Sequence, residues 1–411
     1  MYVRPLSSVQ PTVKDGITRG TRLYWAVSSA LFLAGFSTFS LLYCVQPLLP
    51  VFSHHFGIGA AQSSLVLSVT STALALSIVL VSALSENWGR RGLMFVSMLL
   101  AALLNIAVAY APSWQALLIL RAAEGFILGG VPAVAMAYLA EEIDLSGLGL
   151  SMGIYVGGTA FGGMAGRVGM SILYERYSWQ TAIITIGLLD CAAAIGFYML
   201  LPPSRRFSPK KGLNFQLHLT AWQKHLSNSR LPWLFLTGFI VMGVFVTVYN
   251  YAGFRLSSPP YSLSQTTIGL IFLAYIFGIA ASSLAGGFAE KVGRSRMLLC
   301  GLCVSMLGLG LTMLPSLYVI IAGIILITIG FFISHSVASS WVGKVANGNK
   351  GHASALYLLS YYLGSSVLGS AGGGVWELLG WSGLVFYGVL LLIVACYAAY
   401  SLQHIDQREN L

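Results

Sequence analysis

Four ionisable residues stand inside long apolar runs, where a charge is costly and is retained for a reason. Arg121 and Glu124 are three apart, so on a helix they share a face; Arg167 and Asp190 lie in the two apolar runs that follow. A fifth, His335, sits late in another run. A carboxylate beside a guanidinium takes up and releases a proton when a conformational change alters the pairing. On that reading Glu124 carries a proton and Arg121 or Arg167 tunes its affinity. The same residues can equally form a permanent, near-neutral ion-pair network that holds spans four and five together. Asp190 fits the structural role better. His335 suits titration near neutral pH and hydrogen-bonded packing alike.

A second set is polar and aromatic: Tyr43 and Gln46, Tyr155, Tyr249 and Asn250, Tyr275, and Tyr357 with Tyr361. The spacing Phe-x-x-x-Tyr occurs twice, at Phe39/Tyr43 and Phe245/Tyr249. Such side chains line pockets for sugars by stacking or for lipophilic cations by cation–π contact. They also gather at membrane interfaces for structural reasons alone. Catalytic chemistry is not expected. Cys300 and Cys303 have CxxC spacing but no second pair, and neither a metal cluster, a nucleophile–base pair nor a nucleotide loop is legible. No cofactor or metal follows, and the chain is not read as an enzyme.

The elements that position these residues are membrane helices. Of 411 residues 57% are hydrophobic and 8% charged, against about 25% charged in a soluble domain. Runs near the roughly 20 residues needed to span a bilayer fall at about 24–51, 60–85, 92–111, 115–139, 148–173, 180–201, 232–255, 266–287, 296–314, 317–342, 353–375 and 382–403. The first is too long for a signal-peptide core. This predicts an all-α membrane protein of twelve transmembrane helices in two six-helix bundles. The bundles cover 23–201 and 231–403, between a tail at 1–22, a basic linker at 202–230 and a second tail at 404–411. Of the 22 Lys and Arg, Arg176 and Arg255 fall on one side and Arg121 and Arg167 inside spans; the rest share the side of the N-terminus. That asymmetry places both termini in the cytoplasm and rules against nucleic acid, which needs a continuous patch. The linker reads either as an amphipathic segment on anionic lipid or as a solvated connection.

The chain repeats itself. Leu84-Ser85-Glu86-Asn87-Trp88-Gly89-Arg90-Arg91 returns as Phe288-Ala289-Glu290-Lys291-Val292-Gly293-Arg294-Ser295, with Glu86 and Glu290 204 positions apart. Duplicated halves with matching basic turns suit a two-bundle transporter. Here the sequence resembles the major facilitator superfamily, whose signature G-x-L-a-D-r-x-G-R-[KR] these turns approach, with Glu for Asp and with Ser82 for the first Gly. Arg121-Ala122-Ala123-Glu124-Gly125 is similar to the family's R-x-x-Q-G motif. Gly158-Thr159-Ala160-Phe161-Gly162-Gly163 is similar to the G-P-x-x-G-G motif of antiporters, with Thr159 in place of Pro.

The resemblance implies alternating access, a cavity lined by helices one, four, seven and ten, and a cytoplasmic gate. In that gate Glu86, Gly89, Arg90 and Arg91 act with Glu141 or Glu142, and Glu290, Gly293 and Arg294 form the second copy, tethering neighbouring helices. Gly158, Gly162 and Gly166, with Gly163 beside them, let a second helix approach closely. The strings Tyr43–Pro47 and His335–Trp341 look most like the acriflavine-sensitivity branch of drug:proton antiporters. The implied function is secondary transport of a small molecule, drug-like or sugar-like, across a bacterial inner membrane. Protons and lipid are its partners, and the chain is a monomer. Uptake by proton symport is the rival reading, and a transporter-like receptor or scaffold the more distant one.

Overall fold

The computed structural model describes residues 16–84, 89–204, 215–346, 348 and 350–409. Among these no strand forms; a lone bridge joins Ile17 to Ile143. The helices are α1 Arg22–Tyr43, α2 Leu49–Phe56, α3 Ala60–Leu84, α4 Arg90–Val108, α5 Trp114–Leu128, α6 Pro132–Glu142, α7 Leu145–Arg176 and α8 Trp179–Leu200. The second half carries α9 Phe215–Leu226, α10 Leu231–Ser257, α11 Gln265–Leu270, α12 Tyr275–Val292, α13 Arg294–Leu311, α14 Leu317–Val345 and α15 Lys350–Glu409. Starts are set locally: the side chains of Thr21, Ser113, Asp144, Ser178 and Ser264 accept first-turn N–H groups.

Several expected spans are broken or extended. The first is interrupted after Tyr43 by the 3₁₀ turn Gln46–Leu48 and continues as α2 to Phe56. Pro47 has no N–H to continue the ladder, which forces the break. The fourth is split into α5 and α6 at Gly129-Gly130-Val131, with Pro132 opening the new helix. α15 has a non-helical Gly380 at φ 62°, and the Tyr387 hydroxyl donates back to the Leu368 carbonyl at 3.3 Å. The chain therefore reverses there into two antiparallel arms. Nine helical segments among the described residues are long and apolar enough to cross a membrane. With the reversal at Gly380, the α5–α6 pair and α7, this is consistent with twelve crossings.

Burial sorts the helices by position. The most apolar stretch of α10 is 78% buried and that of α8 33%; α8 leaves Leu188, Leu189, Ile195 and Met199 bare. In a bilayer those side chains face lipid, and α10 stands at the centre. The basic linker contains a helix. α9 packs on α10 and α15 with Ala221 and His225 buried, so its second part is not simply solvated; residues 205–214 lie outside the described residues.

Candidate functional site

The break in α1 organises the first half. The carbonyls of Leu41 and Leu42, at the end of α1, accept from Arg121 at 3.1 and 2.9 Å. Helix ends leave such acceptors unpaired, and a guanidinium, which is donor-only, supplies what they lack. The same guanidinium pairs with Glu124 at 2.7 Å, both side chains fully buried. The pair therefore ties α5 to α1, and does not link spans four and five as expected. Behind it Asp190 of α8 accepts from Ser40 at 3.1 Å, and the Cys44 thiol reaches Asn105 at 3.7 Å. Glu124 and Asp190 each keep one oxygen without a hydrogen-bond partner.

Arg167 stands apart from this cluster. It is 1% exposed and pairs with no carboxylate among the described residues. Its Nε donates to Gln46 Oε1 at 2.5 Å and its Nη1 to the Gly163 carbonyl at 2.7 Å. Its plane lies over the rings of Tyr43, Phe272 and Tyr275 at 4.1, 5.0 and 5.1 Å. Gln46 in turn donates to Asn250 Oδ1 at 2.7 Å, across to the second half. Gln46 and Asn250 are 204 positions apart, the spacing of the repeat, so each meets its own counterpart. In the second half Gly369 lies beside Asn250, and Ala371, 204 positions after Arg167, carries no charge.

The aromatic set continues from this cage. Tyr249 stacks on Phe272 with centroids 5.0 Å apart and its hydroxyl bonds Thr328 at 2.8 Å. Phe245 stacks on Phe331 at 3.8 Å. His335 stacks on Phe331, lies against Tyr361 and bonds Tyr357 at 3.0 Å, the packed arrangement rather than a free imidazole. Seven of the eight expected pocket residues thus join one cluster. Tyr155 does not. It is buried in a separate apolar group with Tyr24 and Val27, nearer the termini. Phe272 and Phe331 were not singled out from sequence, because an apolar ring in an apolar span carries no distinguishing signal.

The halves meet toward the end away from the chain termini. There Ser68 bonds Ser370 at 2.6 Å and Gln265 donates to the Pro47 carbonyl at 2.6 Å. Two further contacts form a related pair. Glu175, at the end of α7, accepts the Thr266 N–H in the first turn of α11 at 2.5 Å. Glu377, at the end of the first arm of α15, accepts the Ala61 N–H in the first turn of α3 at 2.9 Å. Each half thus offers a carboxylate to a helix N-terminus of the other, where a negative charge is favoured. Hydrogen bonds from Thr266 hold the Glu175 carboxyl below its ordinary range.

A model of the Major Facilitator Superfamily matches residues 31–261 and again 256–410. The chain belongs to the Major Facilitator Superfamily. It is 42% identical over 398 residues to the MFS-type transporter YybF of Bacillus subtilis (strain 168), covering 96% of this chain and 98% of that one. It is 43% identical over 385 residues to the inner membrane transport protein YnfM of Escherichia coli (strain K12), covering 92% and 91%. Among solved structures it resembles the nucleoside transporter NupG, with TM-score 0.75, 13% identity and coverage of 93% and 99%. It also resembles a bacterial homolog of the human lysosomal transporter Spinster, with TM-score 0.74, 13% identity and coverage of 94% and 98%. The protein is therefore a multi-pass membrane transporter of a small molecule, with the superfamily's all-helical fold.

The superfamily's signature residues take unequal roles. Arg90 pairs with Glu141 through two bonds at 2.6 and 3.3 Å, and Arg91 donates to the Tyr198 carbonyl at 2.6 Å and lies over that ring. Glu142 is engaged through its carbonyl, which accepts the Ile17 N–H at 2.8 Å. Glu86 lies outside the described residues. These contacts stay within the first half. In the second copy the signs reverse: Glu290 meets Lys344 at 3.4 Å, largely exposed, and Arg294 is half-buried. Gly293, at φ 97°, needs glycine's freedom; Gly89, at φ −61°, does not. The glycine stripe packs α7 on α1. A methyl group at Gly158 or Gly162 would overlap the Phe32 or Phe36 carbonyl, and at Gly166 it would lie 2.9 Å from Ser40. Gly163 makes room for Arg167.

Proposed function

We propose that this transporter exports its small-molecule substrate in exchange for protons, by alternating access, from a bacterial inner membrane. The excess of Lys and Arg on the side of the termini supports a cytoplasmic near end. The far end, where the halves are joined by Ser68–Ser370 and Gln265–Pro47, is then periplasmic.

One observation carries the reading: Arg121–Glu124 and Arg167–Gln46 are fastened to the same break in α1, between Leu41 and Pro47. The unpartnered oxygens of Glu124 and Asp190 are places a proton would fill. A proton on Glu124 removes the charge that orients Arg121, and Arg121 clamps the carbonyls that end α1. The segment just beyond carries Tyr43 and Gln46 to the junction between the halves. Proton occupancy and the lining of the passage thus act on one discontinuous helix, the kind of element on which such carriers place their sites. The resemblance of Tyr43–Pro47 and His335–Trp341 to drug:proton antiporters supports export as the direction.

The test is flux in proteoliposomes holding a pH dye. An imposed proton gradient drives substrate in the opposite direction in the wild type. Glu124→Gln retains substrate binding and loses substrate-driven proton movement. Unchanged proton movement in that variant rejects Glu124 as the carrier, and co-directional flux rejects export.

A further inference from the structure

The hydrogen-bond chain across the halves has a fixed polarity. Arg167 can only donate, so Gln46 must turn its oxygen toward Arg167 and its amide N–H toward Asn250. Asn250 must therefore accept with its oxygen, and its Nδ2 is left without a partner although the residue is 1% exposed. The Tyr43 hydroxyl, on the ring that covers Arg167, is also buried and unpartnered. The acceptors of the neighbourhood are meanwhile consumed: Gln46 Oε1 by Arg167, Asn250 Oδ1 by Gln46, and the Gly163 carbonyl by Arg167. The two carboxylates buried within the spans of this half are held elsewhere, Glu124 by Arg121 and Asp190 by Ser40.

What remains is a buried cation with no counter-ion among the described residues, two spare donors and a wall of flat rings. A guanidinium out of water without a counter-ion is expensive, and cation–π contacts offset only part of that cost. A ligand complementary to these groups has the opposite character: negative, rich in acceptors, and flat enough to lie among Tyr43, Phe272 and Tyr275. From this complementarity we infer that the substrate is an organic anion, an aromatic or similarly flat carboxylate. Its charged group is bound by Arg167, Asn250 Nδ2 and the Tyr43 hydroxyl. This departs from the sugar or lipophilic cation expected of the tyrosines alone. It rests on the reading of the junction between the halves as the passage.

Three shape-matched probes test it on the full-length protein in nanodiscs: naphthoate, naphthylmethylammonium and naphthylmethanol. Naphthoate is expected to bind saturably and the other two at least tenfold more weakly. Arg167→Gln should weaken naphthoate about 10- to 100-fold, the range for losing a hydrogen bond between charged groups. Arg167→Lys should restore part of that loss. Where Arg167→Gln does not yield a monodisperse protein, Asn250→Leu and Tyr43→Phe replace it, each expected to weaken naphthoate several-fold. The inference is overturned if the ammonium or the alcohol binds as tightly as naphthoate, if naphthoate does not bind, or if these variants leave its affinity unchanged. Counterflow of the same probes in proteoliposomes keeps the two readings apart. Arg167-dependent binding without flux defeats the transport reading, and flux of the ammonium or alcohol without naphthoate defeats the anion.

Discussion

Neutralising the two carboxylates that cap the opposite half's helices should open the far end. Glu377 Oε1 accepts the Ala61 N–H at 2.9 Å in the first turn of α3, and the side chain is exposed. A negative charge at an exposed helix N-terminus contributes about 0.3–1 kcal/mol. Glu377→Gln keeps the shape and removes the charge, so the ratio of shut to open should fall by a factor of about 2 to 5. Glu175→Gln acts in the same direction through Thr266, and the two changes should multiply because the sites are separate. The assay is the distance distribution between nitroxides at Tyr110 and Tyr318, exposed positions in the two halves, in a cysteine-free background. Acid probes the same contact. The Glu175 carboxyl is held below its ordinary range, so its hold on α11 is complete at and above that range. It is lost only as pH falls through the lowered value. The far-end distance in a Glu377→Gln background should therefore stay constant through neutral pH and lengthen only in strong acid. An unchanged distribution in the double variant would falsify the assignment of these carboxylates as latches.

Other expectations follow from the packing. Arg121→Ala should destabilise the protein by about 1–3 kcal/mol for each buried carbonyl it abandons, read as a fall in detergent melting temperature. Glu124→Gln should cost far less while abolishing proton movement. Gly162→Ala should cost about 1–3 kcal/mol by overpacking against the Phe36 carbonyl; Gly153→Ala, which meets nothing, should not lower the melting temperature and should raise it slightly. Glu141→Gln should lower the melting temperature without moving the Tyr110–Tyr318 distance, since the Arg90–Glu141 pair lies within one half.

The helices and their duplication were legible because lipid demands long apolar runs and because the Glu-x-x-Gly-Arg turns recur. The ionisable residues could be named for the same reason: a charge in an apolar run is conspicuous. Their partners could not. Arg167 and Glu124, charges in adjacent spans, read as members of one network, yet the break at Pro47 and the direction of each helix face send Arg121 to α1 and Arg167 to Gln46 at the seam with the second half. Gln46 and Asn250 were both expected in the pocket, but that they touch depends on how the two halves dock, which periodicity does not encode. Glu175 and Glu377 were passed over because an acid at a span end reads as topology until a helix N-terminus is seen opposite.

Ala371 stands 204 positions after Arg167, and Gly369 borders Asn250 where Arg167 borders Gln46 in the first half, so the second half has no matching guanidinium there. A duplicated chassis would present its cargo with the same chemical face from left and right, and a molecule could then sit either way round. If Arg167 binds the cargo as inferred, one omitted guanidinium ends that ambiguity and orients the cargo by a single pole, although the hinges and clasps that carry it are duplicated. Preference for cargo can therefore drift by changing one half, with the mechanics of motion left in the hands of both.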